Sequence, residues 1–298
     1  MKRIHFLFVA LSALMCLCQV SFGQGYITAN ADKEVALKVM KTLSDSLATA
    51  GSEGKDLSTA DLMVLAAKSM LGTKYVAGTL DEDPLKEELK VYLTRTDCII
   101  FVETCLNLAR TVKDGKAASF EAFAANVAGT RYRCKPPYSY SDRIHYTTEW
   151  IRRQEGSLSD ITLDLGGETY DHPIDFMSTH TKSYKQLADA DNIPRAALDL
   201  KRIEEVEAAL NKEPMTYIPK PKVAAAASGI KSGDIICYVS NVKGLDIAHV
   251  AIAYVDKGRV GFIHASQADG KVEIDRQTIA EYVGSRSHLS GIKVVRPL

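Results

Sequence analysis

The sequence predicts an α+β domain, on three observations. Apolar residues recur at helical spacing through the first part of the chain. Runs rich in β-branched residues crowd its final part. Between them, over residues 131–227, the periodicity weakens into a mixture of Pro, Tyr and charged residues. Helices first and sheet last is the order of an α+β fold.

Residues 1–23 read as an export signal. Lys2 and Arg3 open it, an apolar run from Phe6 to Val20 follows, and Ser21-Phe22-Gly23 offers small residues where a signal peptidase cuts. The run is short for a membrane span, and no later stretch approaches the roughly 20 apolar residues a span needs. The mature chain, residues 24–298, is therefore expected outside the cytoplasm, in the periplasm. Val35, Leu37, Val39, Met40, Leu43 and Leu47 predict a helix over residues 31–50. A second runs from Ser58 to Met70, with Ser58 or Thr59 as its cap. Together they make an N-terminal helical part, residues 24–70. Lys74 to Thr79 reads as a loop or short strand. Helix returns at Cys98–Arg110 and near Phe120–Val127, then at Thr147–Gln154 and near Ala196–Leu210. Pro214, Pro219 and Pro221, followed by Ala224 to Ala227, predict a connecting stretch. After Gly233-Asp234 come strands at Ile235–Val239, His249–Val255, Val260–Ala265 and Ile292–Val295.

Charge excludes some partners. Lys and Arg number 37, as do Asp and Glu; without residues 1–23 the basic count is 35. That balance favours neither nucleic acid nor an anionic membrane. Outside the signal the cysteines are Cys98, Cys105, Cys134 and Cys237. None forms a C-x-x-C pair, which speaks against zinc. Cys134 and Cys237 could bond in an oxidising compartment. Cys105 reads as a small core residue.

Three segments carry chemistry: Thr96-Asp97-Cys98, Ala248-His249-Val250, and Ile263-His264-Ala265. Asp97 or Thr96 can cap a helix that begins at Cys98, where free N–H groups favour a thiolate and can hold an oxyanion. Asp97 itself opposes the thiolate by its charge, so a base is needed nearby. The plain alternative is a structural cysteine on an apolar helix. Asp256-Lys257-Gly258-Arg259 reads as a hairpin turn. Symmetric pairing across it sets His264 opposite Ala251 and His249 opposite Ser266. The two histidines are then diagonal neighbours on one face, roughly 7–8 Å apart along the backbone. Ala251 and Ala253 on that face leave room for a helix, while Val250, Ile252 and Tyr254 face a core. A single strand histidine is ordinarily a hydrogen-bonded structural residue. Two on one face, with a capped cysteine elsewhere, supply a nucleophile, a base and a group to orient the base.

These segments resemble the NlpC superfamily of papain-like cell-wall hydrolases. The matching positions are Gly72-Thr73-Lys74-Tyr75, Asp97-Cys98, Gly233-Asp234, His249-Val250 and His264. A longer Tyr75-to-Cys98 gap resembles one branch in particular. So do Tyr75-Val76-Ala77-Gly78-Thr79-Leu80-Asp81, Phe101-Val102-Glu103, Arg131-Tyr132-Arg133, Arg143-Ile144-His145-Tyr146 with Trp150, Asp175-Phe176-Met177-Ser178-Thr179-His180, and Gly244-Leu245-Asp246. That branch consists of N-acetylmuramoyl-L-alanine amidases common in gut Bacteroidetes. Ile99-Ile100 departs from the pattern, standing where small hydroxyl residues often follow the cysteine.

The resemblance implies a papain-like fold, with the nucleophile helix packed on an antiparallel sheet and residues 131–227 inserted to bind substrate. It implies that Cys98 attacks the lactyl carbonyl of N-acetylmuramic acid, that His249 forms an ion pair with it, and that His264 orients His249. Tyr75 and Asp97 support the oxyanion and the helix start. Gly78, Thr79, Arg133, Tyr138, Arg143, His145, Trp150, Ser178 and His180 are the expected substrate contacts; aromatic faces suit sugar rings and arginine suits a carboxylate. Any of these side chains could instead be packing on the core. The expected partners are muropeptides, the 1,6-anhydro form above all, with a monomeric enzyme and no metal or cofactor. Two rivals remain: a stem-peptide endopeptidase using the same triad, and a non-catalytic muropeptide-binding protein.

Overall fold

A computed structural model describes residues 25–83, 86–115 and 119–298; the expected export signal lies outside them. β1 (Tyr26–Ile27) leads into α1 (Asn30–Ser52). α2 (Thr59–Ser69) begins at a reciprocal cap: Ser58 Oγ accepts the Asp61 N–H at 3.1 Å, and the Asp61 carboxylate accepts the Ser58 N–H at 2.9 Å. Three short strands follow, β2 (Lys74–Tyr75), β3 (Leu89–Lys90) and β4 (Arg95–Thr96). α3 (Cys98–Lys113) and α4 (Phe120–Arg131) start at Asp97 and Ser119, which accept the N–H groups of Ile100 and Ala122. Next come α5 (Thr147–Arg152), β5 (Leu158–Asp160), β6 (Glu168–Tyr170), α6 (Phe176–Thr179) and α7 (Pro194–Leu210), the last with proline in its first turn.

The prolines at 214–221 do not mark a mere connection. β7 (Met215–Pro219) and the short α8 (Val223–Ala226) lie there. Pro219 ends its strand, where a missing N–H interrupts the ladder least. β8 (Ile235–Ser240), β9 (Ile247–Asp256), β10 (Arg259–Ser266) and β12 (Leu289–Pro297) extend the four expected strands. β11 (Lys271–Ile274) and α9 (Ile279–Gly284) are too short to announce themselves by periodicity.

Among the described residues, ten strands form one sheet, in the order β4-β2-β11-β10-β9-β8-β12-β7-β6, with β5 beside β12, and β1 pairs with β3 apart from it. Its pairs are antiparallel except β2 with β4. Because β5, β6 and β7 belong to it, the 131–227 stretch is woven into the sheet that the C-terminal strands build. Both faces are covered. On one, Phe101, Val102 and Cys105 of α3 share a core with Cys237, Val239, Val250, Ile252 and Ile263. On the other, Tyr238, Ala251, Ala253 and Phe262 meet Ile279, Tyr282 and Val283 of α9 and Val223 of α8. The helix admitted by Ala251 and Ala253 is therefore α9, whereas α3 lies against the Val250 and Ile252 face. Gly233 lets α2 approach β8: at φ +88°, a Cβ there would stand 2.4 Å from the Ala60 carbonyl oxygen. Among the described residues, no helix is long and apolar enough to cross a membrane.

Candidate active site

The Asp97 carboxylate holds the start of α3, accepting the Ile100 N–H at 2.9 Å. Cys98 is the first helical residue and half-buried. The N–H groups of Val250, Ile99 and Cys98 all favour its thiolate. Val250 is free to turn its N–H this way because the hairpin opens. The ladder of β9 and β10 starts at Asp256 with Arg259, across the tight turn of Lys257 (φ +49°) and Gly258 (φ +82°). It stops at Ile252 with Ile263. The expected pairs of His264 with Ala251 and His249 with Ser266 are not made. Ahead of Ile252, β9 pairs with β8 only, and a register shift lies between Tyr238 and Val239, where β9 carries an extra residue. Beyond Ile263, β10 pairs with β11. The thiol meets the split between the two strands.

The parity of the hairpin nevertheless survives on the other face. His249 Nε2 lies 2.8 Å from His264 Nδ1, and the rings meet edge to face at 5.0 Å. The ring of Tyr238 stacks on His249 at 5.7 Å, that of Tyr282 at 5.9 Å, and Phe262 meets His264 edge-on at 4.9 Å. With Nε2 engaged by His264, Nδ1 is the nitrogen of His249 left for another partner.

The surroundings oppose a resting ion pair. Burial, and then the Asp97 charge, push the Cys98 thiol up to about 12, against the weaker pull of the N–H groups. Burial, helped by His264 and Arg286, brings His249 down to about 3. His264 is lowered to about 4, chiefly by burial, with Asp275 pulling the other way. Thiol and imidazole are therefore both neutral at pH 7. The thiolate expected from the helix start alone is outweighed by desolvation. Tyr75 stands near enough that Cys98 and Asp97 add to the burial that pushes its phenol up to about 12.

The other expected site residues divide. Arg143, His145 and Trp150 come together with Leu80, Ile99 and Glu103 around a cavity of about 70 Å³ beside the first turns of α3. The indole N–H of Trp150 and Nε of Arg143 are buried there without a hydrogen-bond partner. His145 Nε2 lies 2.9 Å from the Tyr140 carbonyl, and burial with the Arg143 charge keeps its ring neutral. Gly78 (φ +69°) turns the chain into Thr79, whose buried hydroxyl is also unpartnered. Arg133 is committed elsewhere: its guanidinium is bidentate to Glu149 and donates to the carbonyls of Ser141 and Arg143. Tyr138 stacks on Tyr132 at 3.8 Å. On α6, Ser178 Oγ donates to the Asp175 carbonyl, and the exposed His180 bonds the Phe176 carbonyl and stacks on its ring. Cys134 and Cys237 are both free thiols, the first exposed and the second buried.

Two neighbours of the histidines escaped the sequence reading. Tyr282 comes from α9. Asp275 follows β11, with Oδ2 3.3 Å from His264 Nε2. A longer alternation after the Gly270 turn would have shown Asp275; Tyr282, on a helix of six residues, has no such signal. Among the described residues, His264, Glu273 and Asp275 are the group whose donor atoms, all within 4.8 Å, could hold a metal ion. The arrangement as it stands is a thiol at a helix start, beside the Val250 N–H, and from the residue before Val250 an imidazole that meets a second imidazole, which in turn faces a carboxylate. It can perform acyl transfer at a carbonyl.

A family model described as AmiA-like, N-acetylmuramoyl-L-alanine amidase-like, matches residues 65–292. No curated protein matches the chain. An N-acetylmuramoyl-L-alanine amidase from Bacteroides uniformis superposes with a TM-score of 0.72 at 32% identity, over 80% of this chain and 99% of its own. A Bacteroides fragilis protein provisionally named a xylanase superposes at 0.68 with 32% identity, over 77% of this chain and 98% of its own. A Legionella pneumophila protein matched to the DUF1460 family model shares the fold, at 0.65 and 23% identity, over 91% and 97%.

Proposed function

Because the chain belongs to the N-acetylmuramoyl-L-alanine amidase-like family, we propose that it hydrolyses the amide between N-acetylmuramic acid and L-alanine in peptidoglycan fragments, with Cys98 as nucleophile. The observation that carries this reading is the convergence at the split hairpin: the Cys98 thiol at the Val250 N–H, and the neighbouring His249 fixed at 2.8 Å by His264. The fold is read as papain-like, of the NlpC superfamily, on the same helix-start cysteine and strand histidines.

The neutral resting pair sets the order of events. His249 Nδ1 takes the thiol proton as sulfur bonds the lactyl carbonyl carbon. The N–H of Cys98 and the hydroxyl of Tyr75 hold the oxyanion. His249 then gives its proton to the alanine nitrogen, the C–N bond breaks and a thioester remains. Water, deprotonated by His249, attacks the thioester, and the proton returns to sulfur. The cavity at Arg143, His145 and Trp150 is proposed to take part of the muramyl group, the 1,6-anhydro form being the expected substrate. We further propose that the protein is exported, acts in the periplasm and works as a monomer.

The test is mass spectrometry of the products from a 1,6-anhydro-muropeptide, with Cys98→Ala beside the parent. Intact stem peptide plus free sugar, from the parent only, is the expected result. A cut inside the stem would make it an endopeptidase with the same site, and no cut at all would favour a binding protein.

A further inference from the structure

His264 has two ring nitrogens, and only one serves His249. The other, Nε2, is buried and makes no hydrogen bond that would satisfy it elsewhere. What faces it comes from the third strand. β10 and β11 pair with His264 opposite Glu273, so residue 275 returns to the same side of the sheet. Asp275 is held there at two points: its N–H donates to the Phe262 carbonyl at 3.0 Å, and its Oδ1 accepts the Gln277 N–H at 2.6 Å. That leaves Oδ2, 3.3 Å from His264 Nε2. Glu273 is farther, at 3.9 Å, and its carboxyl is hydrogen-bonded to Asp269.

We propose that Asp275 is a positioning residue that sets the direction of the hydrogen-bond chain Asp275–His264–His249. This rests on Cys98 and His249 acting as read above. A carboxylate can only accept, so His264 must carry its proton on Nε2. Its Nδ1 is then an acceptor, and His249 must carry its proton on Nε2. His249 Nδ1 is left with a lone pair, which is what a base toward the thiol requires. One fixed charge thus selects the tautomers of two rings in series. Glu273 and Asp269 on the β10–β11 hairpin, and Tyr282 and Arg286 on and after α9, are the other titratable or charged groups facing His264. Glu273, at 3.9 Å, meets Nε2 less closely than Asp275 at 3.3 Å.

Asp275→Asn should reverse the chain, because the amide can donate to Nε2 and push the His264 proton to Nδ1. A reversed tautomer behind a catalytic histidine costs about 10⁴-fold in kcat in a well-studied triad; here, one ring farther away, about 10²-fold is expected, with KM unchanged. Asp275→Glu should recover part of it. Nitrogen NMR of both imidazoles in the Cys98→Ala protein supplies a readout without substrate: the His264 proton should sit on Nε2 and move to Nδ1 with Asp275→Asn. Unchanged kcat, an unmoved proton, or a lower melting temperature as the sole effect would overturn the proposal, as would activity that EDTA abolishes and zinc restores. If muropeptides are not cleaved at all, the tautomer shift still tests Asp275 on its own.

Discussion

Cys98 and His249 are both held neutral, and the causes differ. Burial dominates for each, but Asp97 adds its charge at the thiol. Asp97→Asn would keep an acceptor for the Ile100 N–H while removing that charge. Alkylation of Cys98 should then set in at lower pH than in the parent; an unmoved pH dependence would mean that desolvation alone holds the thiol. The base must be neutral to act. With His249 lowered to about 3, kcat/KM should show no inflection near the ordinary imidazole value of 6.5, and activity should persist on acidification through that range. An acid limb centred at 6.5 would show that the site does not depress the imidazole.

At the scale of elements, much of the site could be read from the chain. The cap of α3 follows from Asp97 standing directly ahead of Cys98 and its apolar helical run, and the parity of His249 and His264 follows from a two-residue turn. The opening of that hairpin could not be read, because it depends on β8 and β11 taking the two strands apart by pairing with their outer edges. Asp275 was hidden for the same reason: its place is set by a four-residue strand with no periodicity to announce it. Arg133 looked like a carboxylate binder because the chain does not disclose that Glu149 occupies it. Gly233 and Asp234 matched a motif, and their local roles are now physical. Asp234 accepts two bonds from Arg296, at 2.8 and 2.7 Å, and Gly233 admits α2. Gly233→Ala should destabilise the fold by more than about 1 kcal/mol in urea unfolding, since positive φ and the Ala60 carbonyl both oppose a Cβ; an unchanged midpoint would refute the close approach. Farther along α3 from Cys98, Glu103 of α3 and Arg131 of α4 form a buried ion pair, and Arg131 also bonds the Lys90 carbonyl. Arg131→Met strands a buried carboxylate and should cost about 3–5 kcal/mol, with Glu103→Leu in the same chain restoring part of it. Equal loss in single and double variants would argue against the pair.

For the whole molecule, one sheet joins β2 and β4, the 131–227 stretch and the C-terminal hairpins, so the histidine pair sits near its middle and is sealed by α9. Sealing has a consequence for stability. His249 and His264 titrate at about 3 and about 4 in the fold against 6.5 when exposed. The unfolded chain therefore binds more protons between those values, and the contribution of these groups, complete above 6.5, is lost as pH falls toward 4. The melting temperature should decline over that interval; a level profile would contradict the buried neutral pair. The central claim is that Cys98 carries the muramyl acyl group. Intact-protein mass spectrometry after rapid acid quench of a reaction with 1,6-anhydro-muropeptide tests it directly. The account predicts an adduct on Cys98 with the mass of the sugar and its lactyl group and no amino acid. An adduct that also contains L-alanine, or one on any other residue, would contradict it.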